Sequence, residues 1–307
     1  MSKKRVYSLT ALVIVMTISL CGCSKEKNDR KTEVMSVSTE ETTAGTTVET
    51  AETVTETSSE STTEQIKLPK AGVHSMDNLI LTAMLPVGNT MYIWGGGWNE
   101  ADTGSGVEAV TIGVSERWAE FAAMQDESYD YNQTRYQIHD GLDCTGYIGW
   151  LVYNVVYDKN GSEEDGFVGY GDLSKQFSDY GFGTFKEKDE VTEWKPGDIM
   201  CMDTHIWMSL GMCEDNSVLL VHSSPPGVKI SGTRLSDGSK SEAVYLAEEY
   251  MSKYYPDWYN KYPDCGVSYD YLTTASQMRW SESYLDDPNN IQDMTAREVM
   301  EFIFSNR

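Results

Sequence analysis

Across residues 145–157 the chain is apolar on every side, with Tyr147, Ile148, Trp150, Leu151, Val152, Tyr153, Val155 and Val156 leaving no polar face. That pattern predicts a helix buried all round, and Asp143 stands where a helix N-cap belongs. Shorter apolar runs follow at 198–202, 205–210 and 218–222, each the length of a strand. Helical periodicity returns over 242–254 and 295–304, with a further strand expected around 276–283. Upstream, Tyr92-Ile93-Trp94 runs into Gly95-Gly96-Gly97, a short apolar segment entering a turn. The stretch 98–142 is polar apart from helical periodicity at 114–124, and reads as an insertion that overlies the neighbouring groove. A helix followed by consecutive strands predicts an α+β domain whose antiparallel sheet packs on helices.

The first residues carry a different pattern. Lys3, Lys4 and Arg5 precede an apolar run over 9–20. This run has the length of a signal-peptide core and falls short of the ~20 residues that span a bilayer. It ends in Leu20-Cys21-Gly22-Cys23, which resembles the lipobox of bacterial lipoproteins and implies lipidation of Cys23. Residues 24–67 are rich in Ser, Thr and Glu and lack aromatics, the composition of a disordered tether. The expected organisation is therefore a signal peptide over 1–23, a tether over 24–67 and a folded domain over 68–307, with an extended C-terminal part from 233. Such a protein would sit on the outer face of the cytoplasmic membrane, holding it only through the lipid.

Charge narrows the partners. A formal net charge of −24 argues against nucleic acid and against an anionic membrane surface, both of which need clustered Lys and Arg. The Cys and His residues lack the paired spacing of a zinc site, so neither metal nor cofactor is expected.

Candidate chemistry gathers at Cys144. In the first turn of the buried helix, unpaired N–H groups and the helix dipole favour a thiolate, the nucleophilic form. Gly146 and Gly149 lie three apart on one face and would keep that end clear for substrate. A buried cysteine acting only as a small hydrophobe is the alternative. The chain has 4 histidines, of which His205 and His222 fall in adjacent predicted strands. A bulge-free hairpin with its loop at 211–216 pairs Leu210 with Ser217, Met208 with Leu219 and His205 directly with His222, so that both imidazoles share one face. His74 and His139 have no such context and read as surface or loop residues.

These residues sit in blocks that occur in a fixed order: Tyr92-Ile93-Trp94-Gly95-Gly96, Asp143-Cys144-Thr145-Gly146-Tyr147, Pro196-Gly197-Asp198-Ile199, His205 to Gly211, and Val221-His222. Together they resemble the signature of the NlpC-type papain-like cell-wall cysteine peptidases, over roughly half the chain. The resemblance implies a papain-like fold with the nucleophile at the N-terminus of a buried helix. It implies Cys144 as nucleophile, His205 as general base, His222 as the residue orienting it, and Tyr92 in the oxyanion site, with Asp143 and Thr145 beside the substrate. Members of that family cleave peptidoglycan stem peptides, most often between γ-D-glutamate and a diamino acid. The resemblance thus implies a monomeric peptidoglycan endopeptidase. Thr145 stands where the family usually has Ser, the 98–142 spacer is longer than usual, and Trp207 and Ser209 depart from its pattern. Two other functions fit the same residues: a binding-only surface lipoprotein, and a papain-like acyltransferase or amidase.

Two features lie outside these blocks. Cys201 and Cys213 fall at opposite ends of the predicted hairpin, too far apart for a disulfide, whereas the pairing of Cys265 stays open. Tyr250, Tyr254, Tyr255, Trp258 and Tyr259 crowd one stretch, either as packing of an added helix or as a sugar-stacking platform.

Overall fold

The computed structural model describes residues 69–97, 106–157, 166–169 and 171–305. The expected signal peptide, lipidated Cys23 and tether lie outside these residues. None of the described helices is long and apolar enough to cross a membrane.

The domain is α+β. Its helices are α1 (Met76–Ala83), α2 (Glu116–Ala123), α3 (Cys144–Val156), α4 (Leu173–Asp179), α5 (Glu242–Tyr254), α6 (Pro256–Lys261) and α7 (Ala296–Ser305). The strands are β1 (Gly183–Lys186), β2 (Ile199–Met202), β3 (His205–Met212), β4 (Val218–Ser224), β5 (Gly227–Thr233), β6 (Gly266–Val267) and β7 (Ser276–Trp280). They form one 7-stranded sheet in the order β1-β7-β2-β3-β4-β5-β6, antiparallel except where β5 meets β6.

Helix α3 is the buried helix its composition requires: Asp143 caps it through the Gly146 N–H, and Tyr147, Ile148, Trp150 and Leu151 are fully buried. It packs with Ile206, Met208, Leu219 and Val221, the alternate positions of β3 and β4 that face the main core. The intervening positions Trp207, Val218 and Leu220 join a smaller cluster with Leu272 and Ala275. The sheet is thus covered on both faces, which explains why its strands read as continuous apolar runs rather than alternating ones.

The hairpin differs from its expected register. Met212 pairs with Val218 and Gly211 with Leu219, leaving an odd-numbered loop that, continued unchanged, would put His205 and His222 on opposite faces. A bulge between Ser209 and Gly211 corrects this, because beyond it Ser209 pairs with Leu220 and Met208 with Val221. His205 and His222 are therefore diagonal neighbours on one face rather than direct partners. Gly211 takes φ +108° at the bulge, a conformation that side-chain-bearing residues rarely adopt.

The C-terminal part is less of an addition than expected. Strand β7 lies inside the sheet between β1 and β2, and without it β1 would have no neighbour. Asp198, at the start of β2, is almost fully buried and meets Arg279 of β7 in a two-pronged ion pair, with Nε to Oδ1 at 2.9 Å and Nη2 to Oδ2 at 2.7 Å. The aromatic stretch packs against the C-terminal helix and the core: Tyr254 stacks on Phe304 of α7 at 3.9 Å between centroids, and Trp258 and Tyr250 are buried. Cys144, Cys201, Cys213 and Cys265 are all free thiols.

The described part of the expected insertion, 106–142, lines no part of the groove beside Cys144. Part of it supports the groove's wall from behind, and Arg135 lies over Trp94 at the groove's edge. Trp118 is buried edge-on against Trp150 of α3, and the Tyr129 hydroxyl donates to the Tyr92 carbonyl at 2.7 Å.

Candidate active site

The site forms where three pieces of chain meet: the turn after Tyr92, the N-terminus of α3 and the start of β3. Backbone approach at the first junction is close enough to exclude any side chain. A Cβ on Gly146 would lie 2.0 Å from the Gly96 carbonyl oxygen, and one on Gly97 would lie 2.4 Å from Gly146 Cα. Gly149 is likewise pressed against Phe167 and Val168. These glycines therefore serve backbone packing rather than the substrate access expected of Gly146 and Gly149. The contact draws Tyr92 to the Cys144 end of the helix.

A pocket of about 340 Å³ opens at this point, lined by Tyr92, Asp143, Cys144, Thr145 and His205 among others. Every residue assigned to the site from the sequence lines it except His222, which lies behind His205. The His205 Nε2 is 2.9 Å from His222 Nδ1, and His222 Nε2 is 3.0 Å from the Ser231 hydroxyl. The result is a hydrogen-bonded line running from the pocket into the sheet. Asp143 does more than border the pocket, because its two carboxylate oxygens accept from the Gly146 and Gly95 N–H groups. It ties the glycine turn to the helix.

Three contributors were missed from the sequence. Ser231 of β5 ends the imidazole line, and Tyr271 packs against both rings, 5.5 Å from His205 and 6.1 Å from His222 between centroids. Lys229 pairs with His222 across β4 and β5, is buried, and donates to the Asp264 carbonyl at 3.0 Å. No sequence signal marks Tyr271, whose contact with the histidines is wholly tertiary. Ser231 could have been found from a two-residue periodicity along β5 had that strand been recognised.

Electrostatically the site rests neutral. Burial pushes the Cys144 thiol up to about 12, with the Asp143 carboxylate acting in the same direction. This reverses the lowering expected from the helix terminus, although the Ile206 and Thr145 N–H groups and the Thr145 hydroxyl do favour the thiolate. Burial also drives His205 down to about 4, and drives His222 well below the usual imidazole range, helped by His205 and Lys229. Desolvation penalises whichever form is charged, so thiol and imidazole both stay uncharged at neutral pH.

These shifts have a consequence for stability. An unfolded chain protonates His205 below its ordinary value near 6.5, while the folded chain resists until about 4. Stability therefore falls as pH drops through that window. At the other end, unfolded Cys144 ionises above 9.0 and the folded thiol does not until about 12, so stability falls again above 9.0. Allowing for its partial exposure, His205 alone should account for about 2 kcal/mol between neutral pH and pH 4. Urea unfolding of wild type and His205→Gln across this range checks it, since the variant should lose less on acidification. Equal losses in the two proteins would refute it.

His74 and His139 stay outside the site. His74 stacks on Tyr284 at 5.0 Å, and His139 is half-exposed and paired with Glu108. Among the described residues no three His, Cys, Asp or Glu side chains converge as metal ligands would. No family model, curated protein or solved structure matches the chain.

Proposed function

We propose that this chain is a papain-like cysteine hydrolase that cleaves an amide bond in peptidoglycan stem peptides. The observation that carries the reading is the pocket shared by Cys144 and His205, with His205 held from behind by His222. The ordered sequence blocks point to stem peptides, and to the bond between γ-D-glutamate and a diamino acid.

The role of base fixes the tautomers. With Nε2 occupied by His222, the His205 atom free to take the thiol proton is Nδ1. His205 then carries its proton on Nε2 and donates to His222 Nδ1, while His222 donates from Nε2 to Ser231. Because the pair rests neutral, the proton moves from Sγ to Nδ1 as sulfur attacks the carbonyl carbon. The C–S bond forms, and the carbonyl oxygen gains charge beside the Cys144 N–H and the Tyr92 hydroxyl. His205 returns its proton to the leaving nitrogen as the C–N bond breaks. Water activated by the same imidazole then frees the acid and regenerates the thiol. His222 keeps the ring oriented, and Tyr271 covers the bond between the two imidazoles.

The lipid anchor at Cys23 belongs to the same proposal and rests on the sequence pattern alone. Digestion of purified peptidoglycan with the 68–307 domain, followed by mass spectrometry, tests the function. New γ-D-glutamyl termini from wild type and none from Cys144→Ala are expected. Intact peptidoglycan with both proteins would favour the binding-only lipoprotein, and acyl transfer to an added amine without hydrolysis would favour the acyltransferase.

A further inference from the structure

The protein is strongly acidic, and all but one of its described arginines are committed to carboxylates. Among the described residues Arg117 pairs with Asp140, Arg234 with Asp264, Arg279 with Asp198 and Glu193, and Arg297 with Glu249. Arg135 is the exception. It has no ion pair or hydrogen bond among the described residues, and its guanidinium lies 4.7 Å over the Trp94 ring and 5.7 Å from that of Tyr136.

Its place is held from both sides. The Tyr136 N–H donates to the Trp94 carbonyl at 2.9 Å, and Tyr136 takes φ +64°, an unusual backbone conformation for an aromatic residue. Trp94 itself lines the Cys144 pocket and is 43% exposed. Arg135 therefore stands beside the pocket mouth, and its charge reaches the Tyr92 hydroxyl, where it opposes the burial that raises that group. The pocket's own ionisable walls include Asp143 and Asp203, which repel an anion. A guanidinium stacked on a ring keeps its plane fixed and its N–H edge outward, the geometry that binds a carboxylate through two parallel hydrogen bonds.

We propose that Arg135 is a carboxylate-recognition residue at the lip of the Cys144 pocket, selecting substrates whose acyl residue, the one joined through its side chain to the amide to be cleaved, keeps a free α-carboxylate. The proposal rests on the amide-hydrolase reading of that pocket. A stem peptide whose D-glutamate keeps its α-carboxylate would engage Arg135, and one amidated to D-isoglutamine would not.

Two synthetic peptides test it: L-alanyl-γ-D-glutamyl-L-lysine amide and its isoglutaminyl counterpart, both blocked as the C-terminal carboxamide so that the D-glutamate α-carboxylate is the one carboxylate and is present in the first peptide alone. Binding is measured by calorimetry on Cys144→Ala, so that the result does not depend on turnover. The carboxylate peptide should bind more tightly than the carboxamide by roughly ten- to hundred-fold, the weight of a charge-assisted pair. Arg135→Gln in the same background should abolish that preference, and Arg135→Lys, which keeps the charge but not the fork, should restore part of it. In the active enzyme the Arg135→Gln loss on the carboxylate peptide should fall on KM more than on kcat. Equal binding of the two peptides, no binding of the carboxylate peptide, or a preference that survives Arg135→Gln would each overturn the proposal. Binding with the full preference but no cleavage by wild type would instead leave Arg135 standing and sink the hydrolase reading.

Discussion

Cys144→Ala and His205→Ala should each lower kcat on a defined muropeptide by roughly four to six orders of magnitude, and the double variant should be little worse than either. In the proposed mechanism the first removes the atom that bonds to the carbonyl carbon. The second removes the group that accepts its proton, which matters all the more because the thiol is pushed up to about 12 and cannot ionise unaided at neutral pH. His222 acts only through His205. His222→Ala should therefore leave measurable activity, losing about 10²- to 10³-fold by freeing the ring and its tautomer. The geometry also ranks the rescues. His222 meets His205 through Nδ1, the atom nearer the backbone, and the amide of Asn reaches that position while the amide of Gln lies further out. His222→Asn should recover more activity than His222→Gln. Steady-state kinetics decides the order, and a His222→Ala variant as active as wild type would remove His222 from the mechanism.

Asp198→Ala should destabilise the fold by about 3 kcal/mol, the range found when one partner of a buried ion pair is lost. Asp198 is 1% exposed and accepts from Arg279, from the Gln277 amide at 2.9 Å and from the Lys195 N–H at 2.8 Å. Burial nonetheless pushes its carboxyl up to about 6 against the pull of Arg279, so the charge is held at a cost. Removing it leaves the Lys195 N–H and the Arg279 Nε without their acceptor and the Arg279 charge partly desolvated, although Glu193 still accepts from the Gln277 amide at 2.7 Å and from Arg279 Nη1 at 2.9 Å. Asp198→Leu combined with Arg279→Met should regain much of the loss, since a buried pair replaced by packed apolar groups is often near neutral. Urea unfolding measures both. A single variant within about 0.5 kcal/mol of wild type, the scatter of ordinary surface changes, would show that the pair does not hold β7 in the sheet.

Much of the site was legible in local pattern. An apolar run too long for a strand and with no polar face reads as a buried helix, and an aspartate just ahead of it, able to cap the first free N–H groups, places Cys144 in the first turn. Helix α5 and the β2, β3 and β4 strands follow from periodicity for the same reason. These features depend on residues within a few positions of one another, so their physics is written locally.

What sequence reasoning could not reach depends on distant chain. The hairpin register turned on an extra residue between Ser209 and Gly211, and an expectation without a bulge still placed the two histidines on one face because two departures from it, an odd loop and a bulge, cancel in parity. The glycines of the Tyr92 turn and of α3 fit each other's backbones across residues 96 and 146, a contact no spacing rule encodes. The sign of the Cys144 shift was likewise tertiary. The helix terminus favours the thiolate, but desolvation by the surrounding fold outweighs it. Local sequence determines which residues can take part in the chemistry and on which element each sits. Burial, register and the arrival of Tyr271, Ser231 and Arg135 are decided only when the sheet closes, because each depends on which distant surfaces are driven together out of water.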